Sequence, residues 1–279
     1  MIAVERILVP HDFTRNAAAA LDKAVTLAGV LDATCEVLHV VERSGIDAGD
    51  TPPVACAVEY RHGLPHEEIV RYAEERSIDL IVMGTHGRRG LAHALLGSVA
   101  EKVVRTAPCP VLTVRERSRP VLAANILVAT DFGAASDVAL DYARTLAHLC
   151  RASLQLLHVA DNYFMRPIVS DPHVLIAAAH DRLRTQLTND DRRTLGALAI
   201  LDLSDHPAEA IVDYAKSANI DLIVMGTHGR RNLDRLLVGS VAEQVVRTAP
   251  CHVLTLRQRV HRGETVDPVR RADAGGLRP

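Results

Sequence analysis

Three glycines and a serine recur at one spacing in this chain: Gly84-x2-Gly87-x9-Gly97-Ser98, and again Gly226-x2-Gly229-x9-Gly239-Ser240. Residues without a Cβ let a backbone turn sharply and come close to a ligand. In both copies the serine opens an S-x-x-E pattern, Ser98 to Glu101 and Ser240 to Glu243, which reads as a capping box and predicts a helix from about Ser98. A helix N-terminus offers unpaired N–H groups and the positive end of the peptide dipoles, so the chemistry it suits is the binding of an anion such as phosphate. Glycines after a strand also serve plain turns, and a capping box needs no ligand. What favours a site is the duplication: the side chains between the glycines differ, and the glycine spacing does not.

The glycines lie inside a longer repeated unit. Asp79 to Arg115 returns as Asp221 to Arg257, and the two copies differ at 8 of 37 positions. Each unit starts with the apolar run Leu80–Met83 or Leu222–Met225, which suits a strand buried on both faces of a parallel sheet. Each ends in a second apolar run, Val111–Val114 or Val253–Leu256.

The spacing Gly84-x2-Gly87-x9-Gly97-Ser98, followed by Thr-Ala-Pro-Cys-Pro-Val-Leu-Thr-Val, resembles the ATP-binding signature and closing strand of the universal stress protein family. The resemblance covers two tandem domains, nearly the whole chain apart from its C-terminal tail. It implies a doubly wound α/β fold with strand order 3-2-1-4-5 in each domain, and ATP, or ADP or AMP, as ligand, with or without Mg2+. It also implies the site residues. The backbone near Pro10 and Val40 would frame adenine and ribose, with Asp12 at the end of the first strand. Gly84, Gly87, Arg88, Gly97, Ser98 and Val99 would surround the phosphates. The second site would use Ala129, Asp131, Val159, Gly226, Gly229, Arg230, Gly239, Ser240 and Val241. The family further implies that the two closing strands meet as an intrachain pseudo-dimer, and that two chains pair again as a homodimer.

Read in order, strand-like and helix-like patterns alternate, as a parallel α/β fold requires. Arg6–Pro10 reads as a strand, followed by a helix pattern with Leu21, Ala24, Val25 and Ala28 on one face. Glu36–Val41 and Val54–Tyr60 read as strands, separated by a polar loop from Glu42 to Pro53; Pro65 sits at a helix start. Asp12 and Asp131 stand 119 residues apart, as do His39 and His158, but Gly84 and Gly226 stand 142 apart, so the second repeat is longer by 23 residues. That extra length carries a helix pattern from Asp171 to Leu187, and the first repeat is expected to lack this crossover helix, leaving a sheet face open to a protein partner. The expected boundaries are 1–117 and 125–258 for the domains, 118–124 for a linker and 259–279 for a disordered tail.

In such sheets ligands bind beyond the carboxyl ends of the strands, where strand order reverses. Asp12 and Gly84 flank that crevice. Asp12 is a candidate to bond a ribose hydroxyl or help hold a metal; capping the first helix, or an Asx turn, is the competing role. Arg88 and Arg230 are candidates to neutralise phosphate, or are solvated surface arginines, the role that better suits Arg89 and Arg231. The repeats depart from one another at His11 against Thr130, Thr14 against Gly133, which removes a hydroxyl near the second site, and Gly63 against Asp205.

Composition narrows the rest. A formal charge of −2 argues against a nucleic-acid partner, and with no Trp and 3 % aromatics, stacking platforms are scarce. No run approaches the roughly 20 apolar residues of a membrane span, and the N-terminus enters a strand pattern without a signal peptide, so the expected location is the cytoplasm. Five cysteines without a C-x-x-C read as reduced core residues. The fourteen histidines are scattered; His86 is a candidate phosphate contact and zinc a remote alternative. P-loop and G-x-G-x-x-G patterns are missing. The functional expectation is a nucleotide-binding regulator in stress response. The alternatives are a slow ATPase or nucleotidyl transferase, for which Asp12 and Asp131 are the repeated acids at a suitable place, and a protein-interaction scaffold whose glycine loops bind nothing.

Overall fold

The computed structural model describes residues 4–42, 57–85, 96–115, 124–160, 172–227 and 239–257. The first repeat runs β1 (Arg6–Pro10), α1 (Arg15–Leu31), β2 (Thr34–Val41), β3 (Val58–His62), α2 (Pro65–Glu75), β4 (Leu80–Gly84), α3 (Ser98–Thr106) and β5 (Val111–Val114). The second runs β6 (Asn125–Ala129), α4 (Ala134–Cys150), β7 (Ser153–Ala160), α5 (Pro172–Gln186), α6 (Asn189–Thr194), β8 (Leu198–Leu203), α7 (Pro207–Ser217), β9 (Leu222–Gly226), α8 (Ser240–Thr248) and β10 (His252–Leu256). The linker, the tail and most of the loop and absent helix expected in the first repeat lie outside the described residues, whereas α5 stands where the inserted helix was expected.

The apolar runs become central strands because both faces of the sheet are covered. Ten strands form one sheet in the order β3-β2-β1-β4-β5-β10-β9-β6-β7-β8, so each repeat shows the order 3-2-1-4-5. Within each repeat the pairs are parallel. Val82 and Val224, at the middle of β4 and β9, are fully buried, as are Ile81 and Ile223 beside them. One core lies under α1, α4 and α5 and runs continuously across both repeats, from Val9 and Ala24 to Leu156 and Leu183. On the opposite face each repeat keeps its own core, under α2 and α3 or under α7 and α8, and Leu96 packs against both. Val25, expected on the buried face of α1, is 49 % exposed; the buried stripe is Ala17, Ala20, Leu21, Ala24, Leu27 and Ala28.

The repeats join at their closing strands, where β5 and β10 pair antiparallel with Leu112 opposite Leu254. The Thr113 hydroxyl donates to the Val253 carbonyl at 3.1 Å and the Thr255 hydroxyl to the Val111 carbonyl at 3.2 Å. Two arginines repeat this reciprocity. Arg115 donates to the Val246 and Arg247 carbonyls at the end of α8, and Arg257 to the Arg105 carbonyl at the end of α3. Each repeat thus caps the C-terminal, partly negative end of the other's helix with a cation. At the opposite ends of the strands, Asp79 accepts the N–H groups of Glu5 and Arg6, and Asp221 those of Ala124 and Asn125. That explains why each repeated unit opens on aspartate.

The insertion in the second repeat has its own buried anchor. Thr188 and Asp191 form a capping box at the start of α6, and Arg144 of α4 grips both Asp191 oxygens at 3.1 Å. Burial pushes the Asp191 carboxyl up, but the hydrogen bonds from Arg144 and Thr188 and the Arg144 charge outweigh it and hold the group below the usual carboxylate range. A lowered folded-state pKa contributes stability at pH values above the ordinary carboxylate pKa of about 4, lost as pH falls through that value toward the folded one. Asp191→Asn should therefore cost about 2–4 kcal/mol near neutral pH by urea unfolding, because it leaves Arg144 half-buried beside a neutral partner. The gap between variant and parent should narrow below about pH 4.

Candidate functional site

The parallel pairing of β1 with β4, Ile7 beside Leu80 and Leu8 beside Ile81, sets Pro10 to Asp12 next to Gly84 and Thr85 at the carboxyl ends of the strands. Pairing of β1 with β2 brings Val40 to the same rim. Gly97 is tied there too, since its N–H donates to the Thr85 carbonyl at 2.7 Å; in the second repeat Gly239 donates to Thr227 at 2.7 Å. The expected residues Pro10, Asp12, Val40, Gly84, Gly97, Ser98 and Val99 are thus gathered at one rim, and Ala129, Asp131, Val159, Gly226, Gly239, Ser240 and Val241 at the equivalent one. Gly87, Arg88, Gly229 and Arg230 lie outside the described residues.

The capping box expected at Ser98 does not form. Gly97 is the N-cap of α3 and Ser98 its first helical residue, and no side chain among the described residues caps the helix; Gly239 and Ser240 repeat this in α8. S-x-x-E marked the helix start correctly and assigned the serine the wrong position. The consequence is chemical. Glycine at the N-cap leaves the first-turn N–H groups without the intramolecular acceptor that Ser, Thr, Asp or Asn would supply. Val99 and Val241 pack partly into the cores beneath, so what they offer a ligand is backbone N–H.

The turn after each first strand is held in detail. Asp12 Oδ1 accepts from the Thr14 hydroxyl at 2.6 Å and the Thr14 N–H at 3.2 Å, an Asx turn, while the Thr14 hydroxyl accepts from Ala17 N–H and caps α1. In the second repeat Asp131 Oδ1 accepts from Gly133 N–H at 2.9 Å and from the Ser136 hydroxyl at 3.0 Å. The hydroxyl that disappears at Gly133 is therefore restored one turn further on, and in both repeats a hydroxyl and an amide fix the carboxylate. Sequence comparison position by position missed Ser136 because it stands opposite Ala17.

The next residue is Phe13 or Phe132, with φ of 64° and 62°. Left-handed backbone is costly for a bulky side chain, and its recurrence marks a conformation that the surroundings impose. The Phe13 N–H donates to His11 Nδ1 at 3.1 Å, and the Phe132 N–H to the Thr130 hydroxyl at 3.0 Å, so His11 and Thr130 perform the same task. Burial lowers the His11 pKa; Asp12 raises it and His39 lowers it further. A neutral His11 with Nδ1 as acceptor agrees with that direction.

His39 and His158 close the arrangement. Each Nδ1 lies 2.7 Å from a carbonyl, of His11 and Thr130 respectively; a carbonyl only accepts, so Nδ1 carries the hydrogen. The Phe13 ring lies 4.4 Å from His39 and the Phe132 ring 4.3 Å from His158. These histidines link the end of the second strand, beside Val40 and Val159, to the aspartate turn. Their equal spacing from Asp12 and Asp131 was the sequence signal.

Gly84 and Gly226 have a packing role. A Cβ on Gly84 would stand 3.0 Å from the backbone of Asn16 in α1, and one on Gly226 would stand 2.7 Å from the Ala135 Cβ in α4. These first glycines let a helix lie against the end of its strand.

The comparisons agree with this architecture. The Universal stress protein family profile matches residues 3–55, 50–115 and 123–257. The chain is 52 % identical over 63 residues to a universal stress protein of Methanocaldococcus jannaschii, a stretch that is 23 % of this chain and 37 % of that relative. It is 29 % identical over 188 residues to one from Mycobacterium bovis, covering 64 % of this chain and 62 % of the relative, so the matches span less than two thirds of either relative's length. Among solved structures, a universal stress protein from Archaeoglobus fulgidus superposes with a TM-score of 0.69 at 23 % identity, over 92 % of this chain and 99 % of its own. A Pseudomonas aeruginosa protein gives 0.70 at 21 % identity, over 91 % and 93 %. At those identities the solved structures establish the shared fold. With profile matches across both repeats and the same fold over nearly the whole length, the chain belongs to the universal stress protein family, in its tandem form.

Proposed function

We propose that each repeat binds an adenine nucleotide, ATP foremost, at the rim formed by the ends of β1, β2 and β4 and the start of α3, or by β6, β7, β9 and α8. The observation that carries this reading is the duplicated glycine N-cap. Both helices begin beside a strand end on a glycine that offers no side-chain cap, and none comes from the other described residues. The first-turn N–H groups and the positive end of the dipole suit phosphate oxygens. The hydroxyls of Ser98 and Ser240 are not used as caps and add a donor each. Arg88 and Arg230 are assigned to the phosphates by the family signature alone. Adenine and ribose would lie between Pro10 and Val40, or Ala129 and Val159, with the fixed carboxylate of Asp12 or Asp131 accepting from ribose. Where Mg2+ accompanies the nucleotide, these carboxylates are the acids at the strand ends, and the ion would neutralise phosphate charge. Binding, with no reaction step, is enough for a regulatory role in which occupancy alters a surface that partners read.

The test is the nucleotide content of freshly purified protein, read by denaturation and ion-exchange of the supernatant. Close to one adenine nucleotide per repeat is expected, with ATP in excess of ADP if hydrolysis is slow. A protein that emerges empty and takes up no added ATP would remove this reading and favour the scaffold alternative.

A further inference from the structure

The second repeat has a contact on its aspartate turn that comes from the inserted helix. Arg182 of α5 donates from its NH2 group to the Phe132 carbonyl at 3.3 Å, and its guanidinium carbon lies 4.5 Å from the centre of the Phe132 ring. Four residues on, along the same face of α5, Gln186 donates to Asp137 Oδ1 at 2.9 Å in the first turn of α4. Between them Leu183 is fully buried in the core shared with α4. The helix thus grips both sides of the turn that presents Asp131, at the residue whose backbone is forced to φ 62°. In the first repeat the Phe13 ring lies 5.2 Å from His11 and 4.4 Å from His39, the counterpart of His158.

We infer that Arg182 is a positioning residue of the second repeat's nucleotide site and the link through which occupancy of that site is felt by α5. This rests on the nucleotide reading above. A cation over an aromatic face and a charged donor on a carbonyl together resist relaxation of the left-handed turn. Because Asp131 precedes Phe132 and its Oδ1 is bound to Gly133, any ligand that fixes the carboxylate fixes the residue Arg182 holds. The coupling is reciprocal: a ligand that steadies the turn steadies α5, and a loosened α5 weakens the ligand. Among the described residues, only the second repeat shows an arginine placed on its aspartate turn in this way.

The test is amide hydrogen exchange on the full chain, with and without ATP, for parent, Arg182→Leu and Arg182→Lys. In the parent, ATP should slow exchange at the start of α8, at residues 131–136 and along residues 176–187. In Arg182→Leu, exchange at 131–136 should be faster even without ATP, the protection of α5 should vanish, and about tenfold more ATP should be needed to protect α8. The start of α3 should behave as in the parent, and Arg182→Lys should restore part of the effect. Phe132→Leu, which removes the ring from the other side, should reproduce the pattern and serves if Arg182→Leu folds poorly. ATP protection of α8 but not α5 in the parent, or protection of α5 unaltered in Arg182→Leu, overturns the inference and leaves the nucleotide reading intact. ATP protection nowhere in the parent overturns both.

Discussion

Gly97→Val protein should carry nucleotide in its second repeat only, and Gly239→Val protein in its first only. Neither substitution asks the backbone for a conformation that valine resists. Gly97 has φ −61° and ψ 140°, and Gly239 φ −61° and ψ 141°, both in the ordinary extended region. Loss of an N-cap glycine costs the helix about 1 kcal/mol, well within what a chain with these cores tolerates. The ligand is affected far more. An isopropyl group beside the first-turn N–H groups displaces the anion from donors that each contribute roughly 1.5–3 kcal/mol in charge-assisted hydrogen bonds. Losing two of them weakens binding by about a hundredfold or more. Ion-exchange analysis of the denatured proteins and calorimetric titration with ATP give the two readouts. The double variant should be empty but folded. Full nucleotide content in either single variant would remove the glycine N-cap from the site.

This argument also shows what the sequence could and could not convey. The runs Leu80–Met83 and Leu222–Met225 were legible as strands buried on two faces because they lack polar alternation, and Pro65 was legible as a helix start because only the first turn accepts it. The start of α3 was legible within one residue, but its cap was not. S-x-x-E fits a serine at the N-cap and equally a serine at the first helical position after glycine, and only the backbone at Gly97 distinguishes them. The Asp12 turn was one of the open roles; the structure shows the turn, and in both repeats it fixes the carboxylate at the end of the first strand. The exposed side of α1 misled at Val25 because a helix of alanines buries a stripe that side-chain size does not announce. The spacing of His39 and His158 was legible but their task was not, and Ser136 and Arg182 escaped altogether. Each acts on the Asp–Phe turn from a place that no local pattern connects to it, and the left-handed conformation of the phenylalanine that they support is not announced by the residue type.

Gly226→Ala should destabilise the ligand-free protein by about 2–3 kcal/mol, and Gly84→Ala by about 1–2 kcal/mol. The sign is the informative part. Adding a methyl to a strand glycine ordinarily stabilises, by about 0.5–1 kcal/mol, because the unfolded chain loses freedom. Here the new Cβ on Gly226 would meet the Ala135 Cβ at 2.7 Å and its carbonyl carbon at 3.0 Å. Neither atom belongs to a side chain that can swing aside, so α4 must shift away from β9 and loosen the shared core. On Gly84 the contacts are with Asn16 backbone and Cβ at 3.0 Å, a gentler collision that a few tenths of an ångström would relieve. Urea unfolding of nucleotide-free protein measures both. Unchanged or raised stability in Gly226→Ala would mean that α4 does not approach β9 as closely as described. Set beside the Gly97→Val pair, the result sorts the glycines of one motif by task. The first in each copy brings a helix against a strand end and should show its cost without ligand. The last leaves a helix N-terminus open and should show its cost chiefly when nucleotide is present. Because the duplicated spacing fuses these two requirements, a chain that kept only the packing would still resemble the motif at its first glycine, and only loss at the last would betray a repeat that no longer binds.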